Sequence, residues 1–320
     1  MISPIPVFII TGFLGAGKTT LLNHILYHQT THKIAVIENE LGNTALDSIV
    51  LSQENQSLHI KTLQNGCICC SSHAELEMTL LELINQLSTH QTEFSRLMIE
   101  CTGMADPGSI IKKFLTHDLI SNYFQLQGVI TLVDAVNAPY QFQHFHVTQA
   151  QIGYADLILV SKTDLIQNRY QDFIKQLAYM NSRAKIHSII NGRLDLTLLD
   201  QLNGFSLSSQ PNFKCQELPS NPLDTQVNSF VIRRSEPFEL QTLSLLFDKI
   251  LINFKDQLLR YKAILYIKDI PERLLLQGIQ QIHNSEFGSP WTGSEAPFSE
   301  LVFIGIALPE QEFRKAFNDL

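Results

Sequence analysis

Eight residues near the start of the chain have the types and spacing of a phosphate-binding loop. Gly12–Thr19, with the sequence GFLGAGKT, fits the pattern G-x-x-x-x-G-K-[ST], follows an apolar strand-like run and opens a helical pattern. Glycines let backbone N–H groups face phosphate oxygens, Lys18 adds positive charge at the β and γ oxygens, and the Thr19 hydroxyl can ligate Mg²⁺. The spacing predicts a nucleoside triphosphate site with Mg²⁺.

A second segment supplies a carboxylate and a glycine at the end of a strand-like run. Glu100 ends the run Arg96–Glu100, and Gly103 follows three residues later. A carboxylate at this place can hold Mg²⁺ through water, and a glycine N–H can approach the γ-phosphate without obstruction by a side chain. The pattern gains its meaning from the phosphate loop upstream, because a glutamate at a strand end is common by itself.

The segment SKTD indicates which base the nucleotide contains. Lys162 and Asp164 directly follow the apolar run 155–160. A carboxylate accepts two N–H bonds from guanine but faces lone pairs on adenine, so Asp164 favours GTP, with the Lys162 stem covering the ring. A solvated Lys/Asp turn is the alternative interpretation. The candidate catalytic residues are Lys18, Thr19 and Glu100, and the candidate nucleotide contacts are Gly12, Gly15, Ala16, Gly17, Lys18, Thr19, Thr20, Gly103, Lys162 and Asp164.

Three of the five cysteines, Cys67, Cys69 and Cys70, lie within four positions. This crowding and the odd count do not fit a disulfide framework. Three reduced thiols suit Zn²⁺ or another divalent transition metal, although buried thiols and a redox switch are alternatives. Glu38 stands in the first loop after the phosphate-loop helix, where P-loop GTPases have a nucleotide-sensitive switch. If Glu38 joins the thiols, metal occupancy and nucleotide state are thermodynamically linked; a solvated acidic turn is the alternative.

These segments recur at the ends of strands in an alternating pattern of strands and helices. Such alternation is typical of a parallel sheet with crossover helices, and ligands bind at the carboxyl ends of its strands. The predicted fold class is α/β, a P-loop NTPase parallel sheet with flanking helices. The predicted strands are Pro6–Thr11, Lys33–Ile37, Leu58–Thr62, Arg96–Glu100, Gly128–Val133, Leu157–Val160 and Ile186–Ile190. The predicted helices are Thr19–Tyr27, His73–Leu87, Ser109–Leu115 and Tyr170–Met180.

The composition changes after the last of these strands. Gly204–Asp224 is rich in Ser, Pro and Asn and is interpreted as a linker. The sequence beyond it predicts a smaller α+β domain. Its predicted elements are a strand (Val227–Arg233), a helix (Leu240–Phe254), strand-like runs at Ala263–Lys268 and Leu274–His283, a strand (Leu301–Leu308) and a terminal helix. The predicted domains are residues 1–204 and 225–320, with a linker over 205–224.

Charge and hydropathy limit the classes of partner. The 320 residues have a formal net charge of −8, and such an acidic surface argues against nucleic acid as the main partner. No apolar run approaches the roughly 18 residues that span a bilayer, so no membrane partner is expected. Unpaired, crowded thiols indicate a reducing compartment, and the predicted localisation is cytoplasmic.

Taken together, the motifs resemble the CobW-type P-loop GTPases, relatives of the UreG and HypB GTPases, and within that family its bacterial YjiA-like branch. The matching segments are TGFLGAGKTT (11–20), ENELG (38–42), NGCICC (65–70), ECTGMADP (100–107), VDA (133–135), QIGYAD (151–156), SKTD (161–164), LLRYKAILYI (258–267) and LLLQGIQQIH (274–283). Two departures stand out: Asn43 lies where relatives often have a carboxylate, and Ala263 replaces an expected glycine.

The resemblance implies an N-terminal domain that binds GTP and hydrolyses its β–γ phosphoanhydride slowly, followed by a CobW C-terminal domain. It also implies zinc binding through Glu38, Cys67, Cys69 and Cys70, and delivery of the metal to a client metalloprotein. Homodimers are frequent among such GTPases, and Glu77 and His117 are further candidates for metal contact. Slow turnover also follows from the sequence, which contains no evident arginine finger or water-positioning glutamine. The alternative functions are a zinc-buffering protein with a vestigial GTPase and a metal-independent P-loop NTPase or kinase.

Overall fold

A computed structural model of the chain describes residues 3–38, 59–62, 73–166, 170–202, 226–292 and 296–320, with the backbone alone at 59–62 and 73–74. The chain divides into two compact units, one formed by Met1–Ile174 and Ala184–Phe205 and the other by Lys175–Arg183 and Ser206–Leu320. The predicted linker lies outside the described residues. The predicted domain limits therefore stay a prediction.

The first unit contains a sheet in which the described strands are all parallel. Its seven strands have the order β3-β2-β4-β1-β5-β6-β7. Strands such as β4 and β6 are almost continuous apolar runs because helices cover both faces of a parallel sheet of this kind. The predicted fold class is confirmed. The strands are β1 (Ile5–Gly12), β2 (Ile34–Glu38), β3 (His59–Thr62), β4 (Arg96–Glu100), β5 (Phe124–Asp134), β6 (Leu157–Ser161) and β7 (Lys185–Ser188).

The described helices of this part of the chain include all four that the sequence predicts and four short ones that it does not. The missed helices are α4, α5, α6 and α8; in α6 every residue from Thr148 to Tyr154 is buried, so the apolar stripe that reveals an amphipathic helix is lacking. The helices are α1 (Lys18–His28), α2 (His73–Ser88), α3 (Gly108–Thr116), α4 (Asp118–Tyr123), α5 (Ala138–His144), α6 (His146–Tyr154), α7 (Tyr170–Met180) and α8 (Thr197–Asp200).

Helix α1 is held against the sheet by its apolar side chains. Leu21, Leu22 and Ile25 are fully buried in one core cluster with Phe8 and Ile10 of β1. Because α1 begins at Lys18, this packing fixes the position of the phosphate loop that joins the strand to the helix.

The second unit contains an antiparallel five-stranded sheet of order β11-β10-β9-β12-β8, with two helices packed on one face. Edge-to-face and tilted aromatic contacts join Phe303 of the sheet to Phe313 and Phe317, respectively, of the terminal helix. The elements are β8 (Val227–Arg234), α9 (Leu240–Asn253), β9 (Leu258–Leu265), β10 (Glu272–Ile279), β11 (Ile282–Pro290), β12 (Ser299–Ile306) and α10 (Glu310–Asn318).

The prediction of one strand-like run over Leu274–His283 is wrong. Strand β10 ends at Ile279, a hairpin turn follows, and β11 begins at Ile282. The turn has Gln280 in the left-handed region, with φ +51°. Asn or Gly is the usual residue at such a position, so the sequence contains no turn signal there.

Within the described part of the chain, no helix is both long enough and apolar enough to cross a membrane.

Candidate functional site

The phosphate loop makes its sharp turn on glycines. Gly12, Gly15 and Gly17 all have positive φ. At Gly12, with φ +136°, a Cβ atom would lie 2.3 Å from the carbonyl oxygen of Leu132 on β5. The close approach of two backbones requires glycine at this position, and it directs the loop over the carboxyl end of the sheet.

The ammonium of Lys18 lies inside the phosphate loop. Its Nζ donates hydrogen bonds to the carbonyl oxygens of Gly12, at 2.9 Å, and Phe13, at 3.2 Å. Burial lowers the pKa of the Lys18 ammonium, and the nearby Glu100 carboxylate acts in the opposite direction. A buried cation surrounded by loop carbonyls is well placed to exchange them for the oxygens of a phosphate.

The hydroxyl of Thr19 and the carboxylate of Glu100 meet although 81 residues separate them in the chain. Thr19 Oγ1 donates to Glu100 Oε1 over 2.9 Å. The contact exists because β4, which ends at Glu100, lies beside β1, which leads into the loop. A hydroxyl and a carboxylate are hard oxygen ligands, and they fit Mg²⁺.

The glycine after Glu100 packs directly on the phosphate loop. A Cβ atom at Gly103 would lie 2.5 Å from the backbone nitrogen of Leu14. Gln151, buried on α6, donates from Nε2 to the carbonyl oxygens of Gly103 (3.2 Å) and Ala105 (3.0 Å) and so fixes this turn. Gln151 belongs to the QIGYAD motif, but no role for its side chain was predicted from the sequence.

The SKTD segment is fastened to the phosphate loop at the carboxyl end of β6. Ser161 Oγ donates to the carbonyl oxygen of Ala16 over 2.9 Å. Lys162, in the left-handed region, precedes the single 3₁₀ turn Thr163–Leu165, which contains the exposed Asp164. The structure therefore brings the predicted base contacts and the predicted phosphate contacts to the same edge of the sheet.

Asp134, at the end of β5, anchors Lys162 and was missed by the sequence analysis. Lys162 Nζ lies 2.7 Å from Asp134 Oδ2, and the same carboxylate accepts bonds from the Asn137 side chain and the Val136 N–H. Burial alone would raise the pKa of Asp134, but these hydrogen bonds outweigh it and hold the pKa below its usual value. The VDA motif at 133–135 was the sequence feature from which Asp134 could have been identified.

We expect an Asp134→Asn variant to lose about 1–3 kcal/mol of unfolding free energy at pH 7, the cost of weakening hydrogen bonds to a charged group. Because the folded-state pKa is depressed, the stabilisation is complete above the unfolded-state pKa of about 3.9 and disappears as pH falls through the folded-state value. Urea unfolding of both proteins between pH 3 and pH 7 checks this. A stability difference that persists unchanged at the lowest pH would contradict it.

The described part of the predicted metal site is Glu38. Its buried side chain ends β2, whereas Cys67, Cys69, Cys70 and Asn43 lie outside the described residues. In the sheet, Glu38 pairs in register with Glu100 of β4 on one side and with Thr62 of β3 on the other. Thr62 precedes the first cysteine by five residues. One row of strand ends thus contains Thr62, Glu38 and the Mg²⁺ candidate Glu100.

Two weaker metal candidates lie together in space. His117 Nε2 is 3.6 Å from Glu77 Oε1, and Lys113 Nζ is 2.6 Å from Glu77 Oε2. The lysine already forms an ion pair with this carboxylate and, chiefly through its hydrogen bond, lowers the pKa of Glu77. Over the described ranges, no three or more His, Cys, Asp and Glu side chains form a group that could hold a metal ion.

Cys101 follows Glu100 directly and lies outside the cysteine cluster in the sequence. It is fully buried, and burial raises the pKa of its thiol to about 12. The thiolate is the form that binds metals, so Cys101 acts as a small apolar side chain beneath the loop.

A glycine loop between a parallel strand and a helix, with a buried lysine and a threonine–carboxylate pair, defines a P-loop nucleotide-binding protein. The CobW/HypB/UreG nucleotide-binding domain matches residues 6–188, and the cobalamin synthesis protein cobW C-terminal domain matches residues 227–320. The chain belongs to the CobW/HypB/UreG family.

Similarity to individual proteins extends over nearly the whole chain. The zinc chaperone YjiA of Escherichia coli is 45% identical over 323 residues, covering 99% of both chains. The zinc chaperone CobW of Pseudomonas aeruginosa is 27% identical, covering 97% of this chain and 89% of its own. The crystal structure of Zn(II)-bound YjiA GTPase from E. coli superposes with a TM-score of 0.80 at 38% identity, covering 100% of this chain and 99% of its own.

Proposed function

We propose that this protein is a zinc chaperone that binds GTP and hydrolyses it slowly at the β–γ phosphoanhydride. The relatives described above support both the nucleotide and the metal cargo. The observation that carries the proposal is the row formed by Thr62, Glu38 and Glu100. Neighbouring strands lie about 4.8 Å apart, so a zinc ligand at Glu38 and a Mg²⁺ ligand at Glu100 stand on adjacent strands.

The phosphate loop would hold the triphosphate through backbone N–H groups and Lys18. Lys18 Nζ would exchange the carbonyl oxygens of Gly12 and Phe13 for phosphate oxygens, which are stronger acceptors because they are charged. The Gly103 N–H would meet the γ-phosphate from the opposite side. Loss of that phosphate would remove one of the contacts that hold the turn after β4.

Guanine would be selected at the carboxyl end of β6. The Asp164 carboxylate would accept two N–H bonds from the base, and the Lys162 stem would cover the ring. The ion pair with Asp134 supports this role because it fixes the direction of the Lys162 side chain before the base arrives. ATP would place lone pairs against Asp164 and bind more weakly.

The residues that would hold Mg²⁺ are Thr19 directly and Glu100 through water. Their contact of 2.9 Å supports the assignment. When bound, Mg²⁺ supplies positive charge that neutralises the β and γ phosphate oxygens.

Zinc is the cargo in this proposal, and Glu38, Cys67, Cys69 and Cys70 are its proposed ligands. Zinc binding at Glu38 would affect the nucleotide site because β2 and β4 are paired by hydrogen bonds along their whole register. Hydrolysis would release the segment after Glu38, weaken the zinc site and allow transfer to a client metalloprotein. A cytoplasmic location and a homodimer remain predictions from the sequence.

The test is a zinc titration of reduced protein against a chromophoric chelator, repeated without nucleotide, with GDP and with a non-hydrolysable GTP analogue. We expect zinc affinity to be at least about tenfold higher with the GTP analogue, a coupling of about 1.4 kcal/mol. Glu38→Gln and Cys69→Ala should abolish the difference. Glu93→Gln, which alters an exposed carboxylate paired with Lys33, serves as the matched control.

Equal affinity in the GDP and GTP states would instead support a zinc buffer. Competition by ATP as effective as that by GTP would indicate a nucleotide-driven protein of another class. No zinc binding by reduced protein would contradict the chaperone function itself.

A further inference from the structure

Two histidines at the end of α1 lie four residues apart, outside the site described above. Residues at i and i+4 are neighbours on a helix surface, and the rings of His24 and His28 have centroids 4.2 Å apart with an interplanar angle of 38°. His24 is half-buried and His28 is exposed. The pair therefore combines one positioned imidazole with one that solvent can reach.

In each ring, one nitrogen lies within hydrogen-bond distance of a backbone carbonyl oxygen. His24 Nε2 lies 3.2 Å from the carbonyl oxygen of Leu194, and His28 Nδ1 lies 2.9 Å from the carbonyl oxygen of His24. A carbonyl oxygen only accepts hydrogen bonds, so in the neutral rings His24 Nε2 and His28 Nδ1 bear the protons. The lone pairs are consequently on His24 Nδ1 and His28 Nε2.

This is the arrangement found around metal-binding histidines, which donate their other ring N–H to a carbonyl, a carboxylate or water. Zn²⁺ lies about 2.0–2.1 Å from each ligating nitrogen, so two tetrahedral nitrogen ligands stand about 3.3 Å apart. The ring centroids are 4.2 Å apart, so binding of one ion by both rings requires the exposed His28 ring to turn until its Nε2 lone pair meets that of His24 Nδ1. The last turn of a helix also favours cations through the helix dipole.

The loop that holds His24 is itself fixed on α1. Leu194 is buried in the same core cluster as Leu21 and Leu22. A Cβ atom at Gly192 would lie 2.9 Å from the carbonyl oxygen of Thr20, which shows how closely this loop approaches the helix. The orientation of the His24 ring is therefore set by the core rather than by solvent.

We propose that His24 and His28 form a second, labile site for a divalent transition metal ion, with Zn²⁺ as the probe. Two protein ligands leave the other coordination positions to water or to a donor from another molecule, so the ion exchanges readily. The site lies on the helix whose first turn contains Thr19; at 1.5 Å per residue along the axis, His24 is about 8 Å and His28 about 14 Å from Thr19. Neither histidine is among the proposed ligands of the cargo zinc, and the existence of the site does not depend on the proposed chaperone function.

Equilibrium dialysis of the reduced full chain over micromolar to millimolar free zinc, with zinc counted by elemental analysis, tests the proposal. We expect wild-type protein to bind one zinc more than His28→Gln, or to bind it at least about tenfold more tightly, since loss of even an outer-shell partner costs that much. Because the two rings share one ion, the double variant His24→Gln/His28→Gln should lose no more zinc binding than either single variant.

The matched control is His144→Gln. His144 Nδ1 also contacts the carbonyl oxygen of the residue four positions earlier, at 2.8 Å, but that residue is Tyr140 rather than histidine. His144→Gln should bind zinc as wild-type protein does. Three results would each overturn the proposal: an equal loss of zinc binding in His144→Gln, a loss in the double variant equal to the sum of the two single losses, or unchanged zinc binding in His28→Gln.

Imidazole ¹H–¹⁵N correlation spectra supply a readout that does not depend on stability. Without zinc, His28 should be the Nδ1–H tautomer and His24 the Nε2–H tautomer. Added zinc should shift His28 Nε2 and His24 Nδ1 together, in a protein whose circular dichroism and nucleotide affinity are unchanged. The opposite tautomers would contradict the assignment of the two ligating nitrogens.

Discussion

A Lys18→Ala variant should lose about 10²- to 10³-fold in kcat for GTP hydrolysis, the usual cost of removing one preorganised donor to a developing negative charge. Lys18 Nζ is buried in the loop and bonded to two of its carbonyl oxygens. Without this ammonium, the charge on the transferring phosphoryl group would lack its nearest cation. Phosphate release under saturating GTP measures the effect.

The control is Lys112→Ala, which removes an exposed lysine from α3 and should leave kcat unchanged. Nucleotide affinity needs a separate measurement, since Lys18 would contact GDP as well as GTP through the β-phosphate. A Lys18→Ala protein that is folded and hydrolyses GTP within a few-fold of wild type would show that the loop does not hold the transferring phosphate.

The phosphate site was predictable because its chemistry is local. Gly12–Thr19 lie in one segment, and the pattern states both the residue types and the turn that they require. The carboxylate at Glu100 was also predictable, because parallel strands bring their carboxyl ends to one edge of the sheet. The contact between Thr19 and Glu100 follows from these two facts.

The anchoring residues could not be predicted in the same way. Asp134 and Gln151 are buried polar side chains whose partners are far away in sequence. Their importance depends on which strands become neighbours and on the exact ends of β5 and α6. Burial of a polar group requires a hydrogen-bond partner, but a single sequence does not identify that partner.

The second unit exposes a different limit of prediction. Apolar alternation located β8 and β12, which are largely buried. In contrast, β11 is an edge strand with mostly exposed polar residues, so it has no hydrophobic pattern to detect. Without Gly or Asn at its turn, the β10–β11 hairpin merged into one apparent run.

A Gly103→Ala variant should bind GTP about 5- to 150-fold more weakly, because overpacking costs about 1–3 kcal/mol. The added Cβ would lie 2.5 Å from the backbone nitrogen of Leu14 and 2.7 Å from its side chain. The exposed Leu14 side chain can rotate away, but the backbone nitrogen belongs to the phosphate loop. Either the loop or the turn after Glu100 must therefore move, which separates the Gly103 N–H from the γ-phosphate.

Nucleotide selectivity distinguishes this effect from simple destabilisation. The Gly103 N–H would touch only the γ-phosphate, so affinity for a GTP analogue should fall more than affinity for GDP. Fluorescent-nucleotide titration measures both. Gly128→Ala, on β5, is the matched control, since the three atoms nearest to its added Cβ all belong to the Leu202 side chain, the first at 3.1 Å. Equal losses of affinity for both nucleotides would show that the substitution disturbs the phosphate loop and not a specific contact with the γ-phosphate. No loss of affinity for either nucleotide would contradict the contact between this turn and the phosphate site.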